Sequence, residues 1–344
     1  MVNLDDLKKE VKRILEAGKV KYVIGYARST ADVKEAAPIF IRDANQADKL
    51  IWDATCVQNL AKFLVDEKRD KSRSKKPDTR PIGIVVKGCD SRAVNVLLQE
   101  KYIERDDVYL LGVSCEDLGV IDKKKLQTRF EGKNILNIEF DESDQVNVRT
   151  SDGAVKVPIQ EVLANRCLEC QANYPVVYDV YMGEKSRKSI ENPFGSVEKI
   201  DSLSTQKRWE FWQEQFGKCL RCYACRSTCP MCYCDECVVD TINFAVTAAT
   251  NADEKAQKIK WIEKSPDSSE NFGYHLVRAI HLAGRCIDCA ECERVCPVAI
   301  PLRLLNKKLE KSAKELFDYE AGFDTEKPAL VSSFRDEDPE EFIR

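Results

Sequence analysis

The sequence predicts an α/β (α+β) amino-terminal domain with a mixed sheet, followed by a smaller helical domain organised by cysteine. Three observations predict this division. The chain has 344 residues, more than one hydrophobic core usually holds. Short apolar stretches in the first half, such as Pro81-Ile-Gly-Ile-Val-Val-Lys87 and Val108-Tyr-Leu-Leu-Gly-Val-Ser114, alternate with helical spacing, as βαβ units do. Eleven of the sixteen cysteines fall after residue 215, so the second half has a different means of holding itself together.

Taken in order, the chain opens on a charged amphipathic helix, Met-Val-Asn-Leu-Asp-Asp-Leu-Lys-Lys-Glu, with no apolar core of a signal peptide. Val20 to Ala27 reads as a strand from its β-branched and aromatic residues. Leu50, Ile51, Ala54, Val57, Leu60, Ala61 and Leu64 recur near a 3.6 period and predict a helix over Ala47 to Glu67. Asp66 to Arg80 carries seven basic residues and reads as a solvated loop, with docking of an acidic partner the sharper alternative. Pro81 to Lys87 is a strand of the kind buried on both faces. Gly88-Cys-Asp-Ser-Arg92 turns it into a helix, Ala93 to Lys101. After the strand at 108–114 the pattern becomes antiparallel: 134–140, 145–150 and 154–157 are short strands, the last two joined by Ser-Asp-Gly. Pro158 then begins a helix that leads to Arg166-Cys-Leu-Glu-Cys170. The expected domains are 1–184, a connection over 185–205, the cysteine domain over 206–316, and an acidic tail over 317–344. The five aromatics of that tail, Phe317, Tyr319, Phe323, Phe334 and Phe342, predict that it lies across a partner.

Two runs carry the chemistry: Cys219-Leu-Arg-Cys222-Tyr-Ala-Cys225-Arg-Ser-Thr-Cys229-Pro and Cys286-Ile-Asp-Cys289-Ala-Glu-Cys292-Glu-Arg-Val-Cys296-Pro. Each reads C-x2-C-x2-C-x3-C-P, the spacing that holds a [4Fe-4S] cube in bacterial ferredoxins. Three cysteines three residues apart in a loop that turns back can reach three corners of a cube. The fourth ligand comes from the other run, because the cysteine before the proline points toward the neighbouring cube. One cluster is therefore assigned to Cys219, Cys222, Cys225 and Cys296, and the other to Cys286, Cys289, Cys292 and Cys229. The competing readings are paired zinc sites or a disulfide scaffold. Lys218, Arg221 and Arg226 flank the first run, whereas Asp288, Glu291 and Glu293 mix with Arg285 and Arg294 in the second. The first cluster is expected to be the more easily reduced.

Cys167-x2-Cys170 and Cys234-x2-Cys237 remain, enough for a third cluster or one zinc, with Cys232 to spare. Cys56 and Cys115 read as buried thiols, and Cys89 as a thiol at a helix start, where anions collect. Trp209, Phe211, Trp212 and Phe216 lie at helical spacing and read as packing against the cysteine domain. His275 and His281 receive no role. No G-x-G-x-x-G or P-loop motif occurs, the charge balance of −4 gives no basic surface for nucleic acid, and no run reaches the ~20 apolar residues of a membrane span. The chain is expected to be cytoplasmic, and anaerobic from its low-potential chemistry.

Lys87-Gly-Cys-Asp-Ser-Arg-Ala93, Arg166-Cys-Leu-Glu-Cys170 and the two runs together resemble an iron-sulfur beta subunit of the formate dehydrogenase and deazaflavin-reducing hydrogenase type. The family is related to sulfhydrogenase and anaerobic sulfite reductase iron-sulfur subunits. The stretch Cys222-Tyr-Ala-Cys225-Arg-Ser-Thr-Cys229-Pro-Met-Cys232-Tyr-Cys234-Asp-Glu-Cys237 is the most specific part of the likeness. The resemblance implies an electron relay beside a catalytic formate dehydrogenase or hydrogenase subunit, with heterodisulfide reductase-like subunits as further partners. Some relatives bind FAD, and Gly88, Cys89, Asp90, Ser91 and Arg92 are the residues expected to touch a flavin here. This chain differs in carrying its two runs at the carboxyl end. The alternatives are a flavin-containing NAD(P)H or deazaflavin oxidoreductase subunit, and a docking adaptor with a ferredoxin domain.

Overall fold

The computed structural model describes residues 3–32, 35–73, 75–115, 119–140, 145–183, 190–235, 237–239, 249, 251–257, 262 and 265–334. The chain divides into two compact units. Unit one comprises Met1–Pro193 and Tyr319–Arg344, and unit two Phe194–Asp318.

Unit one opens on α1 (Leu4–Glu16), capped by Asn3, whose side chain accepts from the Asp5 amide; Leu7, Val11 and Ile14 form its buried stripe. The strands β1 (Val23–Arg28) and β2 (Ala36–Ile41) pair antiparallel. Helix α2 (Lys62–Arg73) leads to β3 (Ile82–Val86), every residue of which is buried. Helix α3 (Gly88–Gln99) follows, then β4 (Val108–Val113), again buried throughout. A final short strand, Val180–Met182, completes a five-stranded mixed sheet in which β1, β3, β4 and this last strand run parallel.

Helix α4 (Lys123–Arg129) precedes a separate three-stranded antiparallel sheet of β5 (Ile135–Phe140), β6 (Gln145–Thr150) and β7 (Gly153–Pro158), the hairpin turning at Ser151-Asp152; the edge strand Val180–Met182 is β8. Val146, Val148 and Val157 point from this sheet into a core with Leu126, Phe130 and Val162. The short helices α5 (Ile159–Val162) and α6 (Asn165–Leu168) then bring the chain to Cys167.

The helix expected over 47–67 begins only at Lys62, and reaches through Arg73 into the segment read as a loop. The reason is local competition for backbone donors. Asp43, Asp53 and Asn59 accept from the amides of Asn45, Thr55 and Ala61, and such turns break a helix even where its apolar spacing is right. The strands β2 and β8 were not foreseen.

The closing segment, expected on a partner, has its described part on its own chain. Asn95 donates to the Gly322 and Asp324 carbonyls, Gln99 to those of Asp324 and Lys327, and the Arg92 guanidinium stands 4.0 Å over the Phe323 ring. Residues 335–344, which include Phe342, lie outside the described residues.

Unit two contains α7 (Gly195–Asp201), α8 (Thr205–Gly217), α9 (Ala224–Ser227), α10 (Ala252–Gln257), α11 (Ser268–Leu282), α12 (Glu291–Arg294) and α13 (Leu302–Phe317). Its start at Phe194 falls inside the expected 185–205 connection, part of which is α7; residues 184–189 are not described. Helices α8 and α11 enclose a core of Phe216, Tyr274, Ile262 and Ile300 that also holds Cys225, Cys292 and Cys296. Among the described residues no helix is long and apolar enough to cross a membrane.

Candidate iron-sulfur centres

In unit two the cysteine runs fold into two loops of the same shape. Non-glycine residues adopt left-handed backbone at Arg221 and Tyr223 in one run (φ 54° and 59°) and at Asp288 and Ala290 in the other (φ 53° and 51°). These are the second and fourth residues after the first cysteine of each run. Each left-handed residue costs about 1 kcal/mol or more, and persists only where its surroundings force it. The effect is to curl the loop so that its cysteines face inward.

Each loop closes on a cavity. Cys219, Cys222, Cys225 and Cys296 border one, together with Tyr274 and His275. Cys286, Cys289, Cys292 and Cys229 border the other, together with Arg278 and Asn306. The cysteine preceding each proline thus crosses to the opposite cavity. Cys225, Cys229, Cys289, Cys292 and Cys296 are buried and Cys222 is exposed, so the first cavity has an edge open to the surface.

Amides point at the sulfurs. The Arg221 N–H donates to Cys219 Sγ at 3.4 Å and the Ile300 N–H to Cys296 Sγ at 3.4 Å. Such donors favour a thiolate over a thiol. Helix α11 adds side chains: Tyr274 Oη lies 3.9 Å from Cys225 Sγ and His275 Nε2 3.3 Å from Cys219 Sγ. His275 is 2% exposed and stacked on Phe216, ring centroids 4.9 Å apart. Burial, with Arg278 and Arg221 adding, pushes its pKa down to about 3, so the ring is neutral. Its Nδ1 is buried without a partner. Nε2 is thus the ring nitrogen set against the Cys219 sulfur. Neither histidine had been given a role from sequence; the signal available was that His275 and Arg278 recur three apart on one helix face.

The charges written along the second run are largely spoken for. Asp288 is held by Arg303 (2.6 and 2.8 Å) and by Lys307 (2.6 Å), all three buried. Burial alone would raise its pKa, but the two cations outweigh it and keep the carboxylate ionised. Glu291 pairs with Arg294 at 2.7 Å, and near the first run Lys218 pairs with Glu214 at 2.7 Å. The count of charges in sequence is therefore not the field at the cavities.

Unit one gathers a further group of thiols. The register pairs Val86 of β3 with Gly112 of β4, so Cys89 and Cys115 each follow three residues later at the carboxyl ends of adjacent parallel strands. Ligand sites in such sheets lie at this edge. Cys115 interacts electrostatically with Cys89, Cys170 and Cys167, and Cys89 with Cys170. Two amides serve the pair on the other side: the Val120 N–H donates to Cys167 Sγ and the Ala172 N–H to Cys170 Sγ, both at 3.3 Å. Lys87 and Arg166, both buried, add positive charge around this group. Cys234 and Cys237, the partners expected for Cys167 and Cys170, belong to unit two. Among the described residues no three His, Cys, Asp or Glu side chains close tightly enough to hold a single ion; the thiolates of a cube stand farther apart than the ligands of one metal ion, so a cluster needs no such convergence.

The turn expected to touch flavin is used differently. A Cβ on Gly88 would lie 1.6 Å from the Ala172 carbonyl oxygen, so the 172–174 backbone already covers it. Asp90 pairs with Lys87 at 3.0 Å, Ser91 bonds to the Gly88 carbonyl and the Val176 amide, and Arg92 donates to the Ala321 carbonyl. Asp90, Ser91 and Arg92 are buried in these contacts.

No family model matches the chain. It is similar over 93% of its length to two proteins, each 24% identical to it: the F420-dependent formate dehydrogenase subunit beta of Methanocaldococcus jannaschii, 92% of which is covered, and the F420-dependent formate dehydrogenase 1 subunit beta of Methanococcus maripaludis, 91% covered. The resemblance to formate dehydrogenase beta subunits thus extends over both units.

Proposed function

We propose that this chain is the electron-transfer subunit of an F420-dependent formate dehydrogenase, working beside a catalytic subunit that oxidises formate. The observation that carries the reading is the pair of cavities in unit two, each bordered by four cysteines drawn from both runs. The likeness in sequence to the two beta subunits supports the same reading. Cys219, Cys222, Cys225 and Cys296 would hold one [4Fe-4S] cluster, and Cys286, Cys289, Cys292 and Cys229 the second. Cys167 and Cys170 would hold a third, with Cys89 and Cys115, whose charges interact with theirs in unit one, as the other donors in place of Cys234 and Cys237. Bound clusters supply one-electron transfer. The chain's own contribution is to orient thiolates by amide donors, exclude water with Phe216, Tyr274 and Ile300, and leave an exposed edge at Cys222.

Iron and acid-labile sulfide analysis of anaerobically purified protein tests the stoichiometry. About 12 iron and no zinc per chain is expected, and Cys115→Ser should reduce this to about 8. Eight iron and one zinc in the unaltered chain would remove the third cluster. Co-expression with a formate dehydrogenase catalytic subunit, followed by assay of formate-dependent F420 reduction, tests the partner. Retention of a heterodisulfide reductase-like subunit on the purified complex is the corresponding test of the acceptor side.

His275 gives a finer prediction. His275→Phe keeps the stack on Phe216 and removes the Nε2–H donor to Cys219. The midpoint potential of the first cluster should fall by on the order of 50 mV, equivalent to about 1 kcal/mol. Spectroscopically monitored redox titration reads this directly, and an unchanged potential would exclude the hydrogen bond as a tuning element.

A further inference from the structure

Helix α11 carries a buried charge not yet given a part. Arg278 is 7% exposed and borders the cavity of Cys286, Cys289, Cys292 and Cys229. Its Nη2 donates to the carbonyl of Cys225, 3.0 Å away, and Cys225 borders the other cavity. Its charge interacts chiefly with Cys229, Cys232, Cys292 and Cys225, and among the described residues no carboxylate pairs with it. Its Nε is buried without a hydrogen-bond partner.

A guanidinium does not shed its proton at any pH a protein survives, and burying a charge without its opposite is strongly unfavourable. The groups set against Arg278 are cysteines, and Cys229, Cys292 and Cys225 among them border the two cavities. They become negative when they ligate iron. The missing opposite charge therefore arrives with the clusters, on both sides of the arginine.

We infer that Arg278 is the shared counter-charge of the two clusters: one guanidinium, held against a cysteine ligand of each, that favours the reduced form of both and links cluster loading to the folding of unit two. The inference rests on the two-cluster reading above. Reduction adds a negative charge to a cluster, so a nearby cation raises its potential and removal of that cation lowers it. The other buried cations of this unit stand beside one cavity each: Arg303 and Lys307 are held by Asp288 beside the second, and Arg221 bonds to Asn271 beside the first.

The test compares Arg278→Gln, which keeps hydrogen bonding and loses charge, with Arg278→Lys, which keeps charge and loses the planar fork. Each is purified anaerobically, its iron and sulfide are counted, and its clusters are titrated by electron paramagnetic resonance. In R278Q both unit-two clusters should become harder to reduce, each by at least tenfold in its reduced-to-oxidised ratio at fixed ambient potential, about 59 mV. R278K should restore most of that shift in both. If R278Q loads poorly while R278K loads fully, the counter-charge role stands on loading alone. A shift in only one cluster, equal behaviour of the two variants, or no shift in either overturns it. Unaltered protein without two cubanes in unit two would instead remove the underlying reading, and the inference with it.

Discussion

Asp288→Ala is expected to destabilise unit two and to empty its second cavity. The substitution leaves Arg303 and Lys307, 3% and 4% exposed, without the carboxylate that both contact at 2.6 Å. Removing one partner of a buried ion pair costs about 3–5 kcal/mol, because the surviving charge has no water to return to. Two surviving cations place this case at the upper end, and Glu310, 3.7 Å from Lys307, offsets only part of it. Asp288 is also one of the left-handed residues that curl the second loop. The consequence for loading should therefore be specific: iron falls by about 4 per chain as the second cavity loses its shape. Chemical denaturation followed by far-ultraviolet circular dichroism, alongside iron analysis, measures both effects. A variant that keeps its full iron and loses less than about 1 kcal/mol would show that the triad contributes little.

Gly88→Ala is expected to abolish the third centre while sparing the other two. The new methyl would sit 1.6 Å from the Ala172 oxygen and 2.6 Å from its carbonyl carbon. Backbone cannot swing away as a side chain does, so the 170–174 segment must move by more than an ångström. That segment carries Cys170 and its amide donor from Ala172. Overpacking of this kind typically costs about 1–3 kcal/mol, and here the displaced segment carries a proposed ligand. Iron should fall from about 12 to about 8 per chain, with the spectra of the unit-two clusters unchanged. Full retention of iron in G88A would mean that Cys170 is not a ligand.

The legibility of this molecule in its sequence follows the range of the interactions involved. The grouping of the eight cysteines of the two runs around two cavities follows their local spacing. The parallel strands at 82–86 and 108–113 could be read because burial on both faces leaves a continuous apolar run. The helix expected over 47–67 failed because Asp53 and Asn59 compete for the backbone, and no apolar count registers that. Cys115 reads from sequence as a buried thiol and Cys89 as a thiol at a helix start, since the two stand 26 positions apart in the chain and only the β3–β4 register brings the two strand ends side by side. Arg278 and His275 were invisible for the opposite reason: their helix was recognised, but nothing in a sequence says which face of it meets a sulfur.

The return of residues 319–334 to unit one has a consequence for how the chain is made. Arg92, Asn95 and Gln99 of α3 hold carbonyls supplied by Ala321, Gly322, Asp324 and Lys327, and a nascent chain lacks those residues until the whole of unit two has left the ribosome. Domains fold in the order in which they emerge. The helix whose first turn bears Cys89 therefore waits, its polar groups in water, while more than two hundred later residues are synthesised. Closure of the first unit thus follows the synthesis of unit two, and a chain truncated after Asp318 would carry both cysteine runs and still leave α3 uncovered.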